Sequence, residues 1–171
     1  MKIKILLFII YLILFSFNSI AQNSERKFKI HTLAFYNLEN LFDTINDVNK
    51  NDEASPIMEI KFNRSGIYKQ KIANMAKVIS EIGYDVTNRP PTIVGICEVE
   101  NRKVVEDLIS DEKLKNYNYG IVHYESPDDR GIDVGLIFNK DVFKVKNSNS
   151  HDVFITGNNS CLLYTSPSPR D

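Results

Sequence analysis

The chain has 171 residues, 43% hydrophobic and 25% charged, with a formal net charge of -1. That length sets a prior of about one domain, and the composition is that of a folded globular protein. The near-zero charge argues against a basic protein that coats nucleic acid, but says nothing against a local cationic site. Trp is absent, while ten Phe and eight Tyr supply core material.

At the start, Lys2 and Lys4 precede an apolar run from Ile5 to Phe17, with small residues Ser19 and Ala21 after it. This is the charge–apolar–small order of a secretory signal, so residues 1–21 are expected to be removed by a cut between Ala21 and Gln22. The alternative is a signal anchor, but the run is shorter than the roughly 20 residues a spanning helix needs. No cysteine lies near the cut, so no lipid anchor is expected. The mature protein is expected to be exported, to the periplasm or the medium, without a stable membrane anchor. Residues 22–29 are polar and basic and read as a flexible lead-in.

"KIHTLAFYN", Lys29 to Asn37, is β-branched and aromatic and predicts a strand. It ends at "NLENLFD", where polar and apolar residues mix as the chain leaves the sheet. Thr44 to Arg64 is polar and reads as a long loop, a length that is often functional or mobile. From Ser65 the pattern turns helical: Ile72, Met75, Ala76, Ile79 and Ile82 form an apolar stripe. Gly83 suits the residue just past the helix, where positive φ is common. "NRPP", Asn88 to Pro91, is a turn.

Thr92 to Cys97 is apolar almost throughout, as in a strand with both faces covered. A second helix is expected over Arg102 to Lys115, with Asn101 as its N-cap. Strands are expected at Tyr119 to Tyr124 and Ile132 to Asn139, joined by "ESPDDRG", and a short one at Val142 to Val145. The order predicts α/β architecture, with helices on sheet faces and antiparallel strands at the end.

The last eleven residues, "CLLYTSPSPRD", follow a polar loop and carry no periodicity. They back-translate to a string resembling a transposon-based sequencing-library adapter. The reading frame is therefore expected to leave native sequence near Ser160, with 161–171 a non-native tail and residues 30–160 part of one domain. A natural Pro/Ser-rich tail is the alternative. On the first reading Cys97 is the sole native cysteine, and no disulfide framework is expected.

Both of the first two strands end in polar residues, Asn37 and Glu98. Ligand sites in layered α/β folds gather at strand ends, where a rigid sheet presents side chains into a crevice. A carboxylate with a carboxamide nearby is a hard-oxygen set, suited to Mg²⁺ or Mn²⁺ more than to zinc. Taken singly, Glu98 also fits a solvated turn or a helix cap, and Asn37 a turn.

The pair gains meaning from its context. "FYNLENLF" and "IVGICEVENR" resemble two linked motifs of the endonuclease/exonuclease/phosphatase superfamily, the deoxyribonuclease-I-like fold, in an exported bacterial branch. The first is an aromatic followed by Asn, here Tyr36-Asn37; the second is an apolar strand ending in hydrophobic-Gln-Glu, here Ile96-Cys97-Glu98. Cys97 departs from the common Gln and leaves the glutamate in place. "RGIDVGLIFN" resembles the strand that follows. The resemblance covers about Ile30 to Val145.

The resemblance implies a four-layer α/β sandwich, two packed mixed sheets with helices outside, of which this chain would hold about half. It implies a Mg²⁺- or Mn²⁺-dependent phosphoester hydrolase, most simply a nuclease acting on DNA or RNA. Phosphomonoesterases and sphingomyelinase-like lipid phosphodiesterases share that core, and a non-catalytic exported binding module is the rival from another class. Glu98 would be a metal ligand, and Asn37 would lie beside the metal or position the phosphate. Arg130 could contact phosphate as a bidentate donor, or pair with Asp128 or Asp129 as a surface arginine. Asp133 is left unassigned, and His31 and His123 read as ordinary strand histidines. The family's later motifs, a Gly-Asp-x-Asn turn and a Ser-Asp-His, do not occur. Half of such a fold would leave one sheet face without its partner.

Overall fold

Alternating apolar side chains build the first strand, β1 (Leu33–Leu41), and an unbroken apolar run builds the second, β2 (Ile93–Val99). The computed structural model describes residues 28–151 together with Ile3 and Lys4. The expected signal cleavage site, most of the lead-in and the 161–171 tail lie outside the described residues. Among those described, no helix is long and apolar enough to cross a membrane.

Between the two strands come three helices: α1 (Pro56–Glu59), α2 (Arg64–Glu81) and α3 (Tyr84–Thr87). After β2 come α4 (Arg102–Ser110) and the hairpin of β3 (Tyr119–Tyr124) and β4 (Asp133–Asn139). The sheet order is β1-β2-β4-β3. β1 runs parallel to β2, while β4 is antiparallel to both its neighbours. This is a mixed α/β sheet, consistent with part of the larger sandwich; a second sheet is absent among the described residues.

One sheet face is covered by helices. Val94, Ile96 and Ile137 pack with Ile72, Ala76 and Ile79 of α2 and Val104, Val105 and Leu108 of α4 in one buried cluster. Each Val, Leu or Ile among them, fully buried, contributes on the order of 1.5–3 kcal/mol. The stripe read from the sequence is the buried face of α2. Gly83 follows that helix with φ +66°, and a Cβ there would meet the Thr32 side chain. Asn101 caps α4 by accepting from the Val104 backbone N–H at 3.0 Å.

The other face is open. Leu33 is 62% exposed, Phe35 89% and Val134 42%. The Phe35 ring lies across β2 at Gly95, its partner in register, where any Cβ would strike it.

Several boundaries differ from expectation. β1 starts at Leu33, so His31 precedes the strand rather than lying in it; its ring meets Phe143 edge-on. β1 continues past Asn37 to Leu41 because it re-pairs with β2 at Leu41–Val99 after a bulge. The 44–64 loop holds a 3-10 turn (Asp52–Ala54) and α1, anchored by buried Asp52 and Ile57. α4 ends at Ser110, and Leu114 is buried beyond it at the start of a 3-10 turn, Lys115–Tyr117. Val142 to Val145 is not a strand, having no partner beyond β4.

Candidate active site

The site begins with two strand irregularities that face each other. Between Asn37–Cys97 and Leu41–Val99 the β1–β2 register shifts. On the far side of β2, Cys97 pairs with Val134 and Val99 with Asp133, so Glu98 is the extra residue of a bulge. Glu98 has φ +60°, and Glu39 and Asn40 opposite have φ +53° and +56°. Asn tolerates this left-handed region, whereas a glutamate there stores strain of order 1–3 kcal/mol. The bulge takes Glu98 out of the ladder's two-residue alternation at the end of the strand.

Three groups hold that region. Asn37 Nδ2 donates to Glu98 Oε1 at 2.8 Å, and the Asn40 backbone N–H donates to Oε2 at 3.2 Å. The Asn37 side-chain oxygen Oδ1 accepts from the Glu39 backbone N–H at 2.6 Å, which fixes the side-chain amide's orientation. Lys71, from α2, donates to the carbonyls of Glu39 and Asn40, the latter at 2.9 Å. Burial lowers the Lys71 pKa, and the Glu39 and Glu98 carboxylates act in the opposite sense.

Asn37 and Glu98 are therefore brought together, with Asn37 serving as the donor that orients the carboxylate. Each Glu98 oxygen accepts one of these bonds and keeps further acceptor capacity. One oriented carboxylate with spare lone pairs fits a hard divalent ion, since Mg²⁺ commonly takes one or two carboxylates and completes its shell with water and phosphate. Cys97 is a half-buried free thiol; burial first and the Glu98 carboxylate second push its pKa up, which disfavours the reactive thiolate.

Arg130 is not brought to this pair. Its guanidinium makes a two-point contact with Asp128, Nε to Oδ1 at 3.0 Å and Nη2 to Oδ2 at 2.7 Å. That bond is the first cause holding the Asp128 carboxyl below its usual range. Asp133, left open by the sequence, is fully buried beside His123. Two basic residues of the 44–64 loop are also engaged: Lys50 donates to the Ser126 carbonyl, and Arg64 to the carbonyls of Ile60 and Met58.

Nothing in the sequence singles out Lys71 or Asn40, because their roles depend on a bulge that spacing does not reveal. Glu100 had a signal, the second acid of "EVEN". It is buried and accepts from the Asp43 backbone N–H at 2.6 Å. Burial, opposed by that bond and reinforced by Asp43, Asp52 and Asp47, pushes its pKa up to about 7.

The family model described as Endonuclease/Exonuclease/phosphatase family matches residues 32–164. The chain belongs to this family. The matched span contains the Asn37–Glu98 pair and both bulges, and includes the first residues of the 161–171 segment. No curated protein and no solved structure matches the chain. Membership makes this a domain of phosphoester-hydrolysing enzymes, a family that generally uses divalent metal ions.

Proposed function

We propose that this chain is the N-terminal part of an exported, divalent-metal-dependent phosphodiesterase, most simply a nuclease. The reading rests on one observation: the hydrogen-bonded Asn37–Glu98 pair at the bulge between two parallel strands, within a chain of this family. Glu98 would hold Mg²⁺ or Mn²⁺, which when bound supplies charge stabilisation at the phosphate. The remaining work of these residues is preorganisation. Asn37 and the Asn40 N–H fix the carboxylate, and Lys71 fixes the backbone that carries Asn40. We place the water-activating aspartate and histidine in sequence that follows residue 160 of the native protein, and export on the charge and hydropathy of residues 1–21.

The test is to read the gene past Ser160 and assay the protein it encodes. A Gly-Asp-x-Asn and a Ser-Asp-His downstream, with Mg²⁺-dependent cleavage of DNA or RNA abolished in Glu98→Ala, support the proposal. Cleavage confined to sphingomyelin or to phosphomonoesters would keep the metal core and change the substrate. Full activity in Glu98→Ala would remove Glu98 from the site. The 171-residue chain by itself is expected to be inactive, and metal-dependent hydrolysis of bis-p-nitrophenyl phosphate by it would overturn the assignment of essential groups to later sequence.

A further inference from the structure

A second cluster of ligating groups lies at the mouth of the β3–β4 hairpin. His123 pairs in register with Gly135, two residues from Asp133 on the same strand face. Asn37 belongs to the opposite face, in register with Cys97 and Val134. The His123 side chain is 3% exposed and the Asp133 side chain 0%, with Nε2 and Oδ2 only 3.0 Å apart. The two atoms are close enough to form an ion pair when the imidazole is protonated, yet neither makes a hydrogen bond. Two buried polar atoms left facing each other without a hydrogen bond are costly and uncommon.

Glu125 completes the group: one ligand atom from each of His123, Glu125 and Asp133 lies within 4.8 Å of the others. We propose that these three residues form a divalent-cation site for a first-row transition ion, Mn²⁺ or Zn²⁺, independent of Glu98. The spacing suits an ion. Two ligand atoms about 2.1 Å from a metal and at right angles to each other are ~3.0 Å apart. The imidazole selects against Mg²⁺ and Ca²⁺, while the two carboxylates supply charge.

The surroundings orient the ligands as metal sites require. The Ser126 backbone N–H donates to Asp133 Oδ1 at 2.7 Å, leaving Oδ2 for the ion. The Ser126 hydroxyl donates to the Ile132 carbonyl at 2.7 Å and ties the two ends of the hairpin loop together. Lys50 is the opposing charge; its ammonium donates to the Ser126 carbonyl at 3.2 Å and faces Glu125 only loosely, at 3.9 Å. Glu125 is exposed and lies on the side open to solvent.

The experiment is calorimetric titration and thermal melting of the full chain carrying Glu98→Gln, which removes the other carboxylate site from the readout. Mn²⁺ or Zn²⁺ is expected to bind near one equivalent and raise the melting midpoint, with Mg²⁺ and Ca²⁺ at least tenfold weaker. His123→Gln should abolish binding, and Glu125→Gln should weaken it at least tenfold. Absence of Mn²⁺ and Zn²⁺ binding, or binding unchanged by both substitutions, would overturn the proposal. Should His123→Gln fail to fold, exposed Glu125 still decides: unchanged affinity in Glu125→Gln overturns the three-residue site.

Discussion

Asn37 Nδ2 donates to Glu98 Oε1 at 2.8 Å across 61 residues of sequence. The bond joins two parallel strands at the bulge where both leave regular pairing. It lets a neutral side chain orient the carboxylate without adding charge.

The left-handed backbone at Glu98 gives a direct prediction. Glu98→Gly and Glu98→Ala both remove the carboxylate, but only glycine relieves φ +60°. Glu98→Gly should be more stable than Glu98→Ala by about 1 kcal/mol in urea denaturation. Equal stabilities, or alanine the more stable, would argue against a bulge at this position.

Lys71 bridges two carbonyls of the β1 bulge from a neighbouring helix. Lys71→Met keeps the stem and removes the donors, and should cost about 1.5–3 kcal/mol, the range for hydrogen bonds involving a charged group. Lys71→Arg should recover part of this. A loss below about 0.5 kcal/mol, the level of an ordinary surface substitution, would show that the bulge stands without the lysine.

Glu100 should make stability pH-dependent. Its folded pKa, about 7, lies above the ordinary 4.5, so the folded chain holds a proton that the unfolded chain has lost. The protonation-linked stability is fully present below about pH 4.5 and is lost as pH rises through about 7. With a chelator present, the Glu100-dependent part of the melting midpoint should fall between pH 5 and pH 8. Glu100→Gln should flatten that part of the profile. Superimposable profiles for the two proteins would show that Glu100 does not titrate there.

The open sheet face predicts self-association. Leu33 and Phe35 on β1 and Val134 on β4 present apolar surface on one sheet face, on either side of β2, and such patches drive aggregation when nothing packs on them. Leu33→Thr with Phe35→Thr introduces polar β-branched residues that suit a strand and should lower concentration-dependent aggregation in sedimentation velocity, with little loss of stability. Undiminished association in the double variant would place the sticky surface elsewhere.

Much of the fold was legible in the sequence because its signals are local. The apolar stripe of α2, Gly83 at that helix's end, the Asn101 cap and the β3–β4 strands depend on periodicity and on residues within a turn of one another. That Asn37 and Glu98 lie near one another on neighbouring strands was also legible, through the two motifs that carry them. The extension of β1 to Leu41, the left-handed geometry of Glu98, the Lys71 contacts and the close His123–Asp133 approach were not. Each depends on how one strand's register meets another's, and a bulge inserts its extra residue without changing composition or hydropathy. The sequence by itself determined the strands β1 and β2 and singled out Asn37 and Glu98 on them as candidates. Only the tertiary structure decided that Asn37 holds Glu98, that Arg130 is taken up by Asp128, and that a histidine and an aspartate from opposite strands of a hairpin meet in a buried cluster.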